Sequence, residues 1–476
     1  MTGPSRWHMC RYDRRNLAAR LDLFEDGSVV GGSANETTWA IEGQDLKLID
    51  QEGTARLSFS LTPNYNGELS GVYFPREPDA KPIPHVLRPL GPPVALYRGI
   101  LPISTSDTAE ATKLIKNKTD FSFILHDPVT VRNHFGSLTL DDANIDTYQG
   151  HQFFQHTYLS EPLFVNVLHD AQLVCGSIVV SRDGLVMNET TSFAQNRGLN
   201  FDFTLAVDHE AAYLPSSSGI VKRYDETGFL FNNTYNNYGH WHLQSASNAQ
   251  AYYLFKSIIP STKLLSFDGI GVEHFRKDAI ATLGLDPDEV VRTPRNDRLT
   301  HERYERLLVP SALCVPNELH FHPGRNEALK NLRKPRTENG HRRLYLSRRD
   351  VGNARGIVNT KELFDALQSL GFVEIVTSEM SYASELQTFA DADIVVAPHG
   401  GGLTNMIAHA GGLKIYELFH SKQLNGWYKN LAAICGHHYS AYCIDPPADE
   451  AHKGWHGSFN VDVPRVMQSL KRFAFS

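Results

Sequence analysis

The strongest constraint on the fold is a regular alternation of apolar runs and amphipathic stretches that begins near residue 340. The runs predicted as strands are RRLYLS, FVEIVTS, DIVVA and LKIYELF, and those predicted as helices are TKELFDALQSLG, SYASELQTFADA and GLTNMIAHAGG. Strands joined by helical crossovers of this length form a parallel sheet that helices cover on both faces. We therefore expect an α/β protein whose C-terminal half, residues 331–476, is Rossmann-like.

The first part of the chain is organised differently. Residues 1–74 contain short runs of alternating polarity divided by the turn signals EDG, EGQD and DQEG, which predict a small antiparallel β module. Residues 75–104 are rich in proline and predict a semi-rigid linker. Residues 105–330 mix strand and helix signals, and we interpret them as an N-terminal α/β half. Trp39 and Tyr73 either fill the core of the β module or bind sugar.

Composition limits the class of protein. The 476 residues suffice for two or three domains, and a net charge of −7 argues against nucleic-acid binding. No apolar run reaches the length of about 18 residues that predicts a membrane span, and the N-terminus lacks the apolar core of a signal peptide. The five cysteines are scattered without a CxxC pair, which is typical of reduced thiols. These features predict a cytoplasmic protein.

The segment PHGGGLTN follows a predicted strand and opens a predicted helix. Ligands of open parallel sheets bind beyond the carboxyl ends of the strands, and free amides at a helix N-terminus favour a phosphate. Gly400, Gly401 and Gly402 allow the backbone to approach a ligand, while Thr404 and Asn405 can add hydrogen bonds. The spacing is neither GxGxxG nor GxxxxGK[ST]. A tight turn without a ligand is the alternative.

Charged residues near the predicted strand ends suit a nucleotide. Arg348 and Arg349 follow the first strand of this half, where two guanidinium groups can bind a pyrophosphate or simply lie in solvent. Glu379 and Glu417 are placed to accept ribose hydroxyls or to be ordinary surface charges. His399, between a proline and a glycine, can donate to a phosphate or a leaving group, or be structural.

A second cluster, NNYGHWHLQ, lies in the N-terminal half. It combines the aromatic surface of Tyr238 and Trp241 with the titratable imidazoles of His240 and His242, next to Asn237. The two histidines stand two residues apart and have no further ligand pair at convincing spacing, so we predict no metal site.

Together these motifs resemble glycosyltransferase family 61. The resemblance is carried, in order, by YGHWHL, LYLSRR, RGIVNTKELFDALQSLGF, SEMS and ADIVVAPHGGGLTNMIAHAGG followed by IYEL, and it covers about residues 160 to 425. The family includes plant β-xylosyltransferases, N-acetylglucosaminyltransferases that act on EGF domains or O-mannose, and bacterial enzymes of surface-polysaccharide synthesis.

The resemblance implies a GT-B architecture, in which two Rossmann-like halves face a cleft, with the acceptor in the first half and a nucleotide sugar in the second. On the acceptor side we expect Asn237, Tyr238, Trp241 and Gln244. It implies inverting transfer without a required metal or other cofactor, and we expect UDP as the nucleotide. The positions that match family motifs are Arg348, Arg355, Asn359, Glu362, Glu379, His399, Gly400, Gly402, Leu403, Thr404, Asn405 and Glu417. Leu403 and Glu362 either match the family motifs because they bind the donor or match them because of packing alone.

The sequence departs from the family pattern at the position of an expected general base. Where the family has an aspartate after its HW motif, this chain has Gln244, which cannot accept a proton as a general base. We predict that His240 or His242 takes that role, because imidazole titrates near neutral pH. The predicted function is transfer of a sugar to a glycan in bacterial capsule, lipopolysaccharide or exopolysaccharide synthesis, alongside other polysaccharide-assembly proteins. The alternatives are a catalytically silent glycan-binding scaffold and, disfavoured by the missing GxGxxG fingerprint, an oxidoreductase.

Overall fold

A computed structural model gives the architecture. It describes residues 5–11, 20–31, 36–63, 68–77, 80–133, 135–140, 153, 155–174, 176, 178–191, 206–207, 211–215, 221–232, 238–267, 273–293, 301–312, 320–350, 356–444 and 457–475. The predicted site residues Asn237 and Arg355 lie outside these ranges.

The N-terminal part is an antiparallel sheet of eight strands in the order β3-β2-β1-β8-β7-β6-β5-β4. A bridge between Ser28 and Thr38 brings the two ends of this order together. Its apolar side chains, among them Leu48, Leu57 and Phe59, form a separate core cluster. The strands are β1 Ser5–Arg11, β2 Arg20–Leu23, β3 Val29–Val30, β4 Thr38–Glu42, β5 Asp45–Ile49, β6 Ala55–Ser60, β7 Leu69–Tyr73 and β8 Ile83–Tyr97.

The proline-rich stretch differs from the predicted linker, because half of it is the long strand β8. This strand pairs with β1 and β7 and continues into pairings with β16 and β18 of the next part. Proline fits here because its fixed φ is compatible with extended backbone, although each proline removes one ladder donor. The β module is therefore joined to the body through a shared strand.

The middle part contains a mixed sheet in the order β21-β20-β19-β22-β14-β10-β9. Strands β19 to β22 are mutually parallel, whereas β14 runs antiparallel to both of its neighbours. The strands of this part are β9 Ser104–Thr105, β10 Phe121–His126, β11 Thr130–Arg132, β12 Phe135–Leu140, β13 Thr157–Leu159, β14 Leu163–Val174, β15 Ile178–Val180, β16 Val186–Met187, β17 Ala206–Val207, β18 Ala211–Pro215, β19 Val221–Asn232, β20 Lys263–Phe267, β21 Val290–Thr293 and β22 His301–Pro310.

Helices in this part connect the parallel strands. The connection between β19 and β20 is one helical run of changing pitch: α2 Tyr238–His240, a π-helical turn Trp241–Ser245, a 3₁₀ turn Ala246–Asn248 and α3 Ala249–Ile258. The other helical segments are α1 Thr108–Lys116, Asn188–Thr190 (3₁₀), α4 Glu273–Thr282, Pro287–Glu289 (3₁₀), α5 Pro323–Ala328 and Lys330–Leu332 (3₁₀). Strands β19, β20 and β21 with their two connections form a βαβαβ unit inside the mixed sheet.

The C-terminal part is a six-stranded, entirely parallel sheet in the order β12-β27-β26-β25-β23-β24. Its five consecutive strands thus follow the order 2-1-3-4-5 of a doubly wound fold, and β12 from the middle part adds an edge. The elements are β23 Arg343–Leu346, α6 Thr360–Gln368, β24 Val373–Ile375, Thr377–Glu379 (3₁₀), α7 Tyr382–Asp391, β25 Ile394–Pro398, Gly401–Ala408 (3₁₀), β26 Lys414–His420, Ser421–Gln423 (3₁₀), α8 Trp427–Ile434, β27 His438–Ile444 and α9 Val463–Phe475.

Alternate residues of this sheet enter two different cores. Tyr345 and Val396 pack with α6 and α9 on one face, whereas Leu344 and Val395 join α7, α8 and the 3₁₀ helix on the other. The second cluster continues into the middle part, where it includes Phe121, Phe229 and Trp241. The two α/β parts therefore share one apolar core.

Candidate active site

The order of the parallel strands defines where a ligand is expected. The connections from β23 lead to β24 on one side and then to β25 on the other, so the winding reverses between β23 and β25. Ligands of doubly wound sheets bind at the carboxyl ends of the strands at this reversal. Arg348 follows the end of β23, and His399 and Gly400 follow β25.

Arg348 lies against the backbone of Gly400. A Cβ atom at residue 400 would overlap the Arg348 guanidinium, so only glycine permits this approach. A Cβ at residue 402 would lie 3.0 Å from Cδ2 of Leu346, a tight contact. Both contacts are with the ends of flexible side chains, so a Cβ at residue 400 or 402 would require Arg348 or Leu346 to shift. The adjoining 3₁₀ helix begins at Gly401, the residue after this contact, and the first amides of a helix have no partner within the helix.

His399 is held by a buried carboxylate. Its Nδ1 lies 2.5 Å from Oε1 of Glu417, and the hydroxyl of Tyr439 donates to the other carboxylate oxygen. Glu417 is 1% exposed. Burial and the adjacent Glu417 raise the pKa of Tyr439 well above its ordinary value, so the phenol stays a donor. Because Glu417 accepts the Nδ1 proton, Nε2 is directed away from it for contact with another group.

Arg349 and Glu379, which were both predicted to bind the nucleotide-sugar donor, form an ion pair with each other. Nη2 of Arg349 lies 3.1 Å from both carboxylate oxygens of Glu379, across the ends of β23 and β24. Both side chains are more than half exposed, so the pair adds little stability. A ligand that binds here has to compete with this ion pair for each group.

Asn359 is occupied by the backbone. Its Nδ2 donates to the carbonyl of Val461 at 2.9 Å and to Glu362 at 3.1 Å, while its Oδ1 accepts from the amide of Val461 at 3.0 Å. These bonds fasten the start of α6 to the chain that precedes α9. They argue against the predicted contact of Asn359 with the donor, and they give Glu362 a structural partner.

The predicted bases occupy different environments. His242 is fully buried, with Nδ1 donating to the carbonyl of Tyr238 at 2.8 Å and Nε2 accepting from Tyr382 at 2.9 Å. Burial lowers its pKa to about 4. Both ring nitrogens are used, so the geometry contradicts the prediction that His242 is a general base. Its role is to join the helical run to α7.

His240 keeps some accessible surface and packs against Trp427, with ring centroids 4.6 Å apart. Its Nδ1 lies 3.2 Å from Oε1 of Gln244, one turn along the helix. Enclosure by protein atoms lowers its pKa to about 4 and makes it a weak base at neutral pH, although the bond to Gln244 opposes this shift.

Trp241 is not an acceptor-side surface residue in this structure. It is fully buried and packs against Phe231, His242 and Phe275. Trp241 begins the π-helical turn and belongs to the apolar core shared by the two α/β parts. A fully buried indole offers no surface to an acceptor, which argues against the predicted acceptor-side role of Trp241. Trp39 of the β module is likewise structural, since its indole N–H donates to the carbonyl of Phe24 at 2.7 Å.

Tyr238 and Asn405 connect the two predicted halves directly. The Tyr238 hydroxyl donates to Oδ1 of Asn405 at 2.5 Å, and Nδ2 of Asn405 donates to Oε2 of Glu385 at 2.9 Å. Asn405 is fully buried and its side chain bonds to Tyr238 and Glu385, which argues against the predicted contact of Asn405 with the donor. Thr404, also fully buried, has no hydrogen-bond partner for its hydroxyl within the described ranges.

Glu385 is a site residue that the sequence pattern does not reveal. It lies in the first turn of α7, where an acidic residue is ordinary because it favours the helix dipole. Its partners are 20 and 147 positions away in the chain, so no local spacing marks it. Burial raises its pKa to about 7, against the opposing effect of hydrogen bonds from Asn405 and Tyr238.

The residues that the structure describes contain no group of three or more His, Cys, Asp or Glu side chains arranged to hold a metal ion. No helix among them is both long and apolar enough to cross a membrane.

The doubly wound sheet, with its charged groups gathered at the strand reversal, places the C-terminal part among ligand-binding α/β proteins. Residues 238–416 match the family model Glycosyltransferase 61, which confirms the resemblance of the motifs to that family. The match begins at Tyr238 and ends one residue before Glu417, and it includes Arg348, His399 and the glycine loop. The match supports glycosyl transfer as the general class of activity. No curated protein matches the chain.

Proposed function

We propose that the protein transfers a sugar, with inversion, from a nucleotide-sugar donor to a hydroxyl group of a glycan acceptor. One observation carries this proposal. Within the segment that matches the glycosyltransferase family, Arg348, His399 and the glycine loop meet where the winding of a parallel sheet reverses. This is the position at which doubly wound folds bind nucleotides.

The chemistry of the leaving group supports the assignment. Loss of a nucleoside diphosphate places negative charge on the terminal phosphate. The Arg348 guanidinium and the first amides of the 3₁₀ helix supply fixed donors for this charge, and His399 adds an imidazole whose orientation Glu417 sets. Donors that are fixed before the reaction stabilise developing charge, typically by about 3 kcal/mol each. The proposal accordingly assigns this stabilisation to protein groups and includes no metal.

The contact between the two α/β parts supports a GT-B arrangement. The helical run after β19 touches the 3₁₀ helix after β25 through Tyr238 and Asn405. Both segments follow the carboxyl end of a parallel strand. In the proposed arrangement the donor binds on the C-terminal side and the acceptor on the side of the helical run. UDP as nucleotide, a surface polysaccharide as product and a cytoplasmic location extend the proposal from the resemblance.

A catalytically silent scaffold is the second candidate. Gln244 stands where the family has an aspartate, and the structure uses both ring nitrogens of His242 within the protein. If no other group serves as base, the fold can bind a nucleotide sugar or a glycan without transferring the sugar.

Nucleotide binding and product release separate the candidates. We expect UDP to raise the melting temperature, because a ligand at 100 times its Kd stabilises the folded state by about 2.7 kcal/mol. Arg348→Ala should remove most of this shift, whereas the control Lys361→Ala, at a side chain 87% exposed on α6, should retain it. Release of UDP from a panel of UDP-sugars, dependent on p-nitrophenyl glycosides as acceptors, supports the transferase. A shift without release supports the scaffold, and no shift with any nucleotide contradicts both donor-binding proposals.

A further inference from the structure

Glu385 has the geometry of a positioned carboxylate with one oxygen available. Its Oε2 accepts from Nδ2 of Asn405 at 2.9 Å and lies 3.2 Å from the Tyr238 hydroxyl. Within the described residues, its Oε1 has no hydrogen-bond partner. The side chain is partly exposed, in contrast to the fully buried Asn405 and His242. One oxygen therefore fixes the orientation, and the other can meet a polar group from solvent or substrate.

The carboxylate also lies near the glycine loop. Asn405 is three residues beyond Gly402 on the same 3₁₀ helix, a distance of about 6 Å along the axis. Glu385 contacts the far end of the Asn405 side chain. The contact is at the junction between the 3₁₀ helix and the helical run, where donor and acceptor are proposed to meet. In the proposed arrangement the transferred sugar lies at this junction, between the diphosphate in the loop and the Glu385 carboxylate.

The other candidate bases are less suited to this role. Glu417 is buried with both oxygens bound by His399 and Tyr439. Glu379 has both oxygens on Arg349 at the exposed surface. Both ring nitrogens of His242 are used within the protein, and His240 is only weakly basic. Gln244 replaces the expected aspartate.

We infer that Glu385 is the general base for glycosyl transfer, an assignment that rests on the function proposed above. The acceptor oxygen attacks the anomeric carbon and forms the new glycosidic bond, while its proton passes to Oε1 of Glu385. The bond between the anomeric carbon and the phosphate oxygen breaks, and its electron pair leaves with the nucleoside diphosphate. Asn405 and Tyr238 are positioning residues, because they hold the other carboxylate oxygen.

The ionisation of Glu385 is suited to this step. Burial raises its pKa to about 7, and a base is most effective when its pKa is close to the working pH. The titratable groups that face it are Tyr238 on α2, His242 on the π-helical turn, Tyr382 on its own helix and, through Tyr382, Asp278 on α4. Tyr238 and Tyr382 remain neutral phenols and His242 a neutral imidazole near pH 7, since burial shifts each pKa away from neutrality.

The test compares Glu385→Gln with Asp365→Asn, an exposed carboxylate on α6 paired with Lys361. Using the UDP-sugar and p-nitrophenyl glycoside that give the highest wild-type rate, we expect Glu385→Gln to lower kcat by about 100-fold or more. The KM for the donor and the thermal shift with UDP should stay within about twofold of wild type, because the diphosphate site is intact. Asp365→Asn should match the wild type. A Glu385→Gln variant with wild-type kcat overturns the assignment.

Two further measurements distinguish a base from a structural carboxylate. The wild-type kcat/KM should rise with pH to a plateau above about pH 7, and this rise should be absent from the residual activity of Glu385→Gln. If Glu385→Gln fails to fold, Glu385→Asp keeps the charge but withdraws it from the acceptor. A loss of kcat above about tenfold with normal UDP stabilisation then supports the assignment, and an unchanged kcat overturns it. Failure of the wild type to transfer from any UDP-sugar overturns the proposed function itself.

Discussion

The guanidinium of Arg348 lies so close to the backbone of Gly400 that a β-carbon at residue 400 would overlap it. This relationship joins the ends of two neighbouring parallel strands, β23 and β25, at the reversal of the winding. It explains in one contact why the sequence has an arginine after the first strand and a glycine after the third.

Gly400→Ala should displace the guanidinium and weaken UDP binding by about tenfold or more, because a charge-assisted contact to the diphosphate is lost. Isothermal titration with UDP measures the change. Gly356→Ala is the matched control, since its β-carbon would meet only Oγ of Ser458, at 3.9 Å. Equal UDP affinity in the Gly400→Ala variant and the wild type would show that Arg348 does not bind the diphosphate.

Glu417→Gln should destabilise the fold and impair transfer. The glutamine side chain has one acceptor oxygen where glutamate has two. Either the His399 Nδ1–H or the Tyr439 hydroxyl therefore loses its buried acceptor. The expected loss in the free energy of unfolding is about 1–3 kcal/mol, measured by urea denaturation. Tyr439→Phe, which removes one donor and leaves the carboxylate bound to His399, should cost less. A stable Glu417→Gln variant with full activity would contradict the orienting role of Glu417.

His242→Phe should reduce stability without abolishing transfer. The substitution removes hydrogen bonds to the Tyr238 carbonyl and to Tyr382, at an expected cost of about 1–3 kcal/mol. Activity per folded molecule, with folding checked by circular dichroism, should remain within about tenfold of wild type. If a folded His242→Phe variant lost all transfer while Glu385→Gln kept it, the base would be the histidine.

Glu385 should also make stability depend on pH. Its folded-state pKa of about 7 lies above the ordinary value of 4.5, so the folded protein holds a proton that the unfolded chain releases between these two pH values. This contribution is complete at low pH and is lost as pH rises through about 7. At pH 8, Glu385→Gln should therefore be more stable than the wild type, by about 1 kcal/mol after solvent screening. Thermal unfolding at pH 5 and pH 8 measures the difference, which should shrink at the lower pH.

The parallel sheet was predictable because strand and helix periods differ clearly in this part of the chain. The strand DIVVA is observed at Ile394–Pro398, and the helix TKELFDALQSLG ends at Gln368, shortly before Gly371 with its positive φ. The order of the strands was not predictable, because no local signal states that β25 pairs with β23 and not with β24. The strand β8 was not predictable either, because its proline content suggests a linker unless the partner strands are known.

The site was predictable as far as it depends on motifs that follow strands. The sequence predicts that Arg348 and His399 lie at the same sheet edge. It does not reveal which residues contact them. Glu417 was expected to meet a ribose and instead orients His399. Trp241 was expected on the acceptor side and His242 as a candidate base, because the cluster combines aromatic surface with titratable imidazoles. The π-helical turn that buries them depends on packing between the two α/β parts.

The apolar core that includes Trp241 on one side and Leu403 on the other has a consequence for protein engineering. Fragments cut between the two α/β parts would each expose one side of that core to water, together with one partner of the Tyr238–Asn405 bond. We therefore expect neither fragment to remain monomeric when expressed alone. A chimera that exchanges donor specificity with another enzyme of the family should retain the helical run and the 3₁₀ helix from the same parent.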